Sequence, residues 1–357
     1  MVIYWLIWFY LCLCNMLSSY KNNVGKVFLI ITFLFLFIFI GFRYKVGVDW
    51  YSYLLFYELT KYTDLKSIIL GVDPAYNILN YIGNILGYQD TFFVNAICGF
   101  LALFFLMKTT LKLEKYWLAL LIYFPYHLLV VSMNYNRQAV AISISLWAFC
   151  KLLERRFIQF SFLIIFAALF HKTAISLLLF LPILLYTKFQ QFKILNIFYI
   201  VVSLILLSII IYYSSFQDTN VYLQGNEDMN SKGFFIRWTY HLIPLFLFYK
   251  YNYFFKKQSY YPVIHYFCIL VLFMLPLGIG FSTLADRFNL YLIFFDLFVI
   301  CTIFSYLSKV NKIFLLMVLI LFYTMQMYLW FFHGYWAIKA WIPYQNYIYN
   351  YLFNSVF

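Results

Sequence analysis

Two adjoining runs, YWLALLIYFPYHLLVVSM at 116–133 and YNRQAVAISISLWAFC at 135–150, decide the fold class. The first holds no Asp, Glu, Lys or Arg over 18 residues, close to the roughly 20 apolar residues that cross a ~30 Å hydrocarbon core as a helix. In lipid such a run satisfies its backbone polar groups only by turning helical. Comparable runs extend outward on both sides, at about 3–19, 27–42, 91–107, 157–170, 173–187, 194–214, 235–249, 260–280, 287–307 and 313–332. The reading is an all-α polytopic membrane protein of about twelve transmembrane helices, with residues 1–357 forming a single integral membrane domain. The second run opens on Arg137-Gln138, and a guanidinium at membrane depth marks a functional residue by default.

Composition agrees. Of the 357 residues, 66% are hydrophobic and only 10% charged, and mean hydropathy is +0.86; a soluble domain carries roughly 25% charged residues. In a soluble protein the net charge of +13 would suggest nucleic acid, but here its distribution along the chain decides, and no nucleic-acid partner is expected. Cys12, Cys14, Cys98, Cys150, Cys268 and Cys301 all fall in or at the ends of apolar runs without metal-ligand spacing. They read as small core hydrophobes. The first run has no basic segment before it and no small-residue cleavage site, so it reads as a retained span.

The connecting segments alternate in charge. One set holds 15 basic and two acidic residues, the other 10 basic and nine acidic, with Asp296 alone in mid-span. By the positive-inside rule the first set is cytoplasmic, which puts both termini and the segments 43–90 and 215–234 outside. Within the first outer segment, Asp73-Pro74 through Leu86-Gly87 predicts a short helix with Asp as N-cap, Pro at its first position and Gly just past its end. Asn77, Asn80 and Asn84 fall on one face of it and Ile78, Leu79, Ile82 and Leu86 fill much of the rest, as in an amphipathic helix lying in the interface. Tyr44, Trp50, Tyr51, Tyr53, Tyr57 and Tyr62 read as an aromatic belt or as a stacking platform for sugars. The segment 215–234 reads as a lid or a plain connection. Residues 157–187 predict a hairpin of two helices turning at Phe170-His171-Lys172-Thr173, each arm too short for a full crossing.

No phosphate-binding glycine loop, metalloprotease motif or serine elbow is present, which favours a substrate activated before it arrives. Arg43, Arg137, Arg237 and Arg287 suit a pyrophosphate, because guanidinium makes bidentate, permanently charged contacts; snorkelling to headgroups is the plainer reading of any one of them. His171 is the candidate base, titrating near neutral pH, with Asp49 as the other candidate. His127, His241, His265 and His333 read as structural. Asp296 reads as functional by its depth or as a histidine-paired packing residue. No metal ligand cluster and no cofactor are expected.

These residues also carry a resemblance. Arg43-Tyr44-Lys45-Val46-Gly47-Val48-Asp49 with Tyr53, Asp73-Pro74-Ala75-Tyr76, Arg137-Gln138 with Ala141, Phe170-His171-Lys172-Thr173-Ala174, Arg287 with Tyr291, and Trp341-Ile342-Pro343-Tyr344 resemble, in order, the motifs of EpsG-type proteins. Those are the Wzy-like polymerases of O-antigen, capsule and exopolysaccharide. Here Asp73 stands where Glu is usual. The resemblance implies a membrane glycosyltransferase, for which a GT-C-like architecture is compatible; with no ligand cluster in the sequence, a metal-independent reaction is expected. It would polymerise lipid-linked oligosaccharide repeat units at the outer face of the bacterial cytoplasmic (inner) membrane. The donor glycan rides on undecaprenyl pyrophosphate, and the acceptor is the terminal hydroxyl of another lipid-linked unit. Expected partners are the undecaprenyl-pyrophosphate-linked oligosaccharide, the lipid bilayer and a chain-length regulator of lipopolysaccharide or related polymers. The implied assignment gives His171 or Asp49 the catalytic base and Arg43, Arg137, Gln138, Arg237, Arg287 and Tyr291 the substrate. A flippase of the same lipid-linked oligosaccharide and an acyltransferase acting on glycans are the alternatives. The flippase fits less well because the polar residues gather at one face.

Overall fold

The computed structural model describes residues 1–17, 23–181, 201, 205, 231 and 233–354. It is helical, with no strand among the described residues; an isolated antiparallel bridge joins Arg43 and Asn346. The elements used below are α1 (Val2–Leu17), α2 (Asn23–Gly41), α3 (Trp50–Thr60), α4 (Leu65–Leu70), α5 (Pro74–Ile85), α6 (Phe92–Lys112), α7 (Tyr116–Tyr123), α8 (Asn136–Leu153), α9 (Phe157–Phe170), α10 (Phe234–Trp238), α11 (Leu242–Lys250), α12 (Tyr261–Gly280), α13 (Ser282–Asn289), α14 (Ile293–Tyr306) and α15 (Lys309–His333). Among the described residues five helical stretches are long and apolar enough to cross a membrane: 92–112, 116–134, 261–280, 282–306 and 309–333. Val2–Leu17, Gly25–Gly41 and Phe157–Phe170 are shorter apolar helices. The chain is a multi-pass membrane protein. The expected run 194–214, apart from residues 201 and 205, and most of the outer segment 215–234 lie outside the described residues.

Two expectations about local structure are revised. The run 116–133 is not a uniform α-helix: α7 passes into a π-helical stretch, Phe124–Val131, before a last α turn at Ser132–Asn134. Pro125 sits at the start of that stretch; lacking an N–H and displacing the carbonyl one turn back, it opens the ladder to wider spacing. The second arm of the hairpin is not α-helical where it is described. After α9 the chain runs as a 3₁₀ helix, Lys172–Phe180, and Ser176 Oγ donates to Thr173 O at 2.6 Å, a spacing of three residues that matches this tighter winding.

The described chain gathers into two compact units, the first made of residues 1–147, 169–171 and 304–357, the second of 148–168 and 172–303. In the first, α2 and α6 cross backbone to backbone. A Cβ added at Gly99 would lie 2.9 Å from Gly41 Cα, so only glycine permits this approach. Tyr4, Trp8 and Leu11 of α1 are buried, and Asn15 Nδ2 donates to Trp117 O at 2.9 Å, tying α1 to α7. The chain after α15 returns as a clasp. Trp341 Nε1 donates to Leu129 O, Tyr344 OH to Phe39 O, and the backbone N–H groups of Tyr44 and Gly47 to Gln345 O and Ala340 O. In the second unit Phe149, Phe160, Phe180, Phe267 and Phe294 form one aromatic cluster, and α12 packs on α13.

Candidate functional site

Asp73 was expected to cap α5. It stands at the N-cap position with Pro74 first in the helix, yet it makes no side-chain capping bond. Its backbone is left-handed, φ 55° and ψ 55°, whereas a capping residue normally lies in the extended region. The carboxylate, with a side chain 1% exposed, instead accepts from Arg137 Nη1 at 2.9 Å and faces His171 Nδ1 at 3.5 Å. One buried carboxylate thus joins a permanent cation and an imidazole from two distant parts of the sequence. At the other end of α5 the expectation holds: Gly87 takes φ +80°, and the N–H groups of Gly87 and Tyr88 close on Asn84 O and Gly83 O.

Arg137 begins α8, where its side chain remains 28% exposed. Three rings surround the guanidinium carbon: Phe56 at 5.2 Å, Tyr53 at 5.7 Å and Tyr76 at 5.7 Å to their centroids. Burial pushes the Tyr53 phenol up to about 12, opposed by the Arg137 charge, and raises Tyr76 well above the ordinary value. Both phenols therefore stay neutral near neutral pH.

Arg43 occupies a different setting. It is 1% exposed; Nε donates to Met133 O and Nη1 to Ile40 O, each at 2.9 Å, and Nη2 to Asn136 Oδ1. Asn136 passes the network on through Nδ2 to Asn95 Oδ1, and Asn95 to Thr91. Asn136 is the residue before Arg137, so this chain of bonds sets where α8 starts. Asp49 lies at the start of α3. Its backbone N–H donates to Asn134 Oδ1 at 3.0 Å, and Asn134 Nδ2 donates to its carboxylate at 3.4 Å. Gly47 beside it has φ +107°, and a Cβ there would meet Met133 O at 2.5 Å, which explains a glycine in this loop. Gln138 is buried on α8.

In the first unit the structure therefore brings together Arg137 and His171 around Asp73, with Arg43 and Asp49 anchored on the segment 133–136 that precedes Arg137. The remaining sequence candidates belong to the second unit. Arg237 makes a two-pronged pair with Asp286, Nε to Oδ1 at 2.6 Å and Nη2 to Oδ2 at 2.7 Å, with Ser231 on the same carboxylate. Tyr291 is buried and its hydroxyl lies 3.1 Å from Thr173 Oγ1. Arg287 is half-buried on α13. Asp296 is fully buried with His241 Nδ1 at 2.7 Å, and His241 Nε2 lies 2.9 Å from Asn289 Oδ1. This is the histidine-paired arrangement that the sequence left open for Asp296. Among the described residues no three His, Cys, Asp or Glu side chains group as metal ligands.

Asp73 is the residue sequence reasoning left out of the site. An acidic residue before proline and a helix reads as a cap, and the motif Asp73-Pro74-Ala75-Tyr76, which carries part of the family resemblance, is given no role in the site. The model of the EpsG family matches residues 26–346, nearly the whole chain, and the chain belongs to that family. No curated protein and no solved structure matches it.

Proposed function

We propose that this EpsG family member is a polysaccharide polymerase that joins lipid-linked oligosaccharide repeat units, and that the Asp73–Arg137–His171 cluster carries the reaction. The observation behind the reading is the shared carboxylate, which sets a phosphate-binding cation and a titratable base within one side chain of each other. In the reaction the acceptor hydroxyl oxygen attacks the anomeric carbon of the donor sugar. The bond from that carbon to the pyrophosphate oxygen breaks, and undecaprenyl pyrophosphate leaves with the electron pair. With Nδ1 toward Asp73, His171 takes the hydroxyl proton on Nε2, and Asp73 stabilises the imidazolium that forms. Arg137 meets the charge growing on the pyrophosphate. Asp73 also holds its guanidinium in place, leaving further N–H donors for oxygen atoms of the substrate. Asp49 is the second candidate base, and Arg43 acts by setting the start of α8.

The proposal includes the twelve-span, GT-C-like arrangement with this cluster on the outer side of the bacterial cytoplasmic membrane. A deletion strain complemented with His171→Gln, with protein level checked by immunoblot, tests it. The expected surface polysaccharide is a single repeat unit in place of a ladder of lengths. A flippase would lose surface glycan altogether, and an acyltransferase would leave chain length unchanged. Full-length chains made by His171→Gln at wild-type protein level remove His171 from the reaction and leave Asp49 as the base.

A further inference from the structure

In the excursion between α2 and α6, the helices α3 and α5 are built with their polarity reversed. In α5 the buried stripe is Tyr76, Asn80 and Gly83, with Asn80 0% exposed. Asn84 turns inward to donate to Tyr57 O at 3.0 Å. The residues facing away from the protein are Ile82, Ile85 and Leu86, with Ile85 66% exposed. A helix bathed in water would show its asparagines and bury its isoleucines. The sequence predicts the amphipathic helix but not that the asparagine face is the one packed against protein.

The neighbouring α3 repeats the pattern. Trp50, Tyr53, Tyr57 and Thr60 are buried, whereas Tyr51, Leu55, Phe56 and Leu59 are exposed, Leu55 to 59%. At about 100° per residue, Tyr51, Leu55, Leu59 and Phe56 span an arc of roughly 140°. Ser52 is the one uncharged polar side chain on that arc, and Glu58 at its edge is paired with Lys61 at 2.6 Å. Neither helix is long enough to cross a bilayer: 11 and 12 residues rise only about 17 and 18 Å.

We propose that α3 and α5 are seated in bilayer lipid, with Tyr51, Leu55 and Leu59 of α3 and Ile82, Ile85 and Leu86 of α5 turned to the acyl chains of one leaflet, while the charged turn between them, with Lys61, Asp64 and Lys66 exposed, stays in water. Outward aliphatics are the arrangement that a hydrocarbon surrounding selects, since a polar side chain facing acyl chains finds no partner there, whereas Asn84, turned inward, bonds Tyr57 O. Phe56, at the edge of the α3 arc, is also the ring nearest the Arg137 guanidinium. A lipid-borne anion moving in that leaflet would then meet Arg137 from the side of the membrane; this last consequence rests on the function proposed above, whereas the lipid seat does not.

The test places a bimane fluorophore on Leu55→Cys, Leu59→Cys or Ile85→Cys in the full chain, reconstituted one copy per nanodisc. The parent chain, whose native cysteines are mostly buried, is labelled in parallel as background, and Lys61→Cys serves as the water-exposed control. Acyl-brominated phospholipid should lower the fluorescence of the three labels about twofold or more, while aqueous iodide quenches Lys61→Cys and leaves them nearly unchanged. Quenching by iodide and not by brominated lipid overturns the proposal in favour of a solvated face. Protection from both quenchers in single-copy discs overturns it in favour of cover by protein. Protection from brominated lipid that arises only in densely loaded liposomes shows a second copy taking the face, and also overturns it. Because three positions are read separately and each preparation is checked by gel filtration, one misfolded variant does not decide the outcome. Activity is not part of this readout, so failure of the proposed reaction leaves the lipid seat standing and the reverse.

Discussion

Asp73→Asn keeps the size of the side chain but removes the negative charge set against Arg137 and His171. In turnover assays with lipid-linked oligosaccharide it is expected to lose on the order of a hundredfold, the lower range of what a positioned base contributes. Arg137→Lys probes the other side of the same pair. It retains the charge but not the planar fork, and is expected to lose about a hundredfold if ~3 kcal/mol of transition-state stabilisation depends on that fork. Activity above half of wild type in either variant, at equal protein level, would remove that residue from the chemistry. Arg43 should behave differently. Its guanidinium is buried and bonded to Met133 O, Ile40 O and Asn136, so Arg43→Ala leaves buried acceptors unpaired. A loss of about 3 kcal/mol in stability follows, seen as a lowered Tm and yield in detergent. Normal Tm with lost activity would instead return Arg43 to direct substrate contact.

Among the elements, the α2–α6 crossing is the tightest constraint in the first unit. Gly99 faces Gly41 with no room for a side chain. Gly99→Val must drive the two backbones apart, and overpacking of this kind costs about 1–3 kcal/mol. Since α6 carries Asn95, which supports Asn136, the same shift should also disturb the start of α8. Thermal unfolding followed by size-exclusion fluorescence checks the first effect; unchanged Tm would mean that the helices do not pack through these glycines. The clasp formed by Trp341 and Tyr344 acts on the same region from the other end of the chain. Its bonds to Leu129, Phe39 and the 44–47 loop explain how an aromatic-Pro-Tyr segment far from any reactive residue contributes to the candidate site.

For the whole molecule the strongest sequence statement is charge asymmetry, and it is open to direct test. Alkaline phosphatase fused after Tyr62 is expected to be active and after Gln258 inactive, as the positive-inside rule requires. The opposite pattern would invert the chain and put the Asp73–Arg137–His171 cluster on the cytoplasmic side, where an exported lipid-linked substrate does not reach it.

The sequence by itself determined that this is a multi-pass helical membrane protein, because apolar length is a local property that lipid converts directly into helices. It also singled out Arg137 and His171, since charge and titratable groups in apolar surroundings are conspicuous wherever they fall, and it placed Gly87 at the end of α5 by its conformational freedom. Tertiary structure alone decided what the other polar residues do. Arg43 and Arg137 carry the same side chain, and nothing in their neighbours announces that one is enclosed by carbonyls and the other faces a carboxylate with donors to spare. Asp73 reads as a cap until a left-handed backbone turns it toward residues 64 and 98 positions away. The asparagine face of α5 reads as its wet side until packing shows it turned inward. In each case the deciding partner is remote in the chain, so the role depends on a contact that no local pattern encodes.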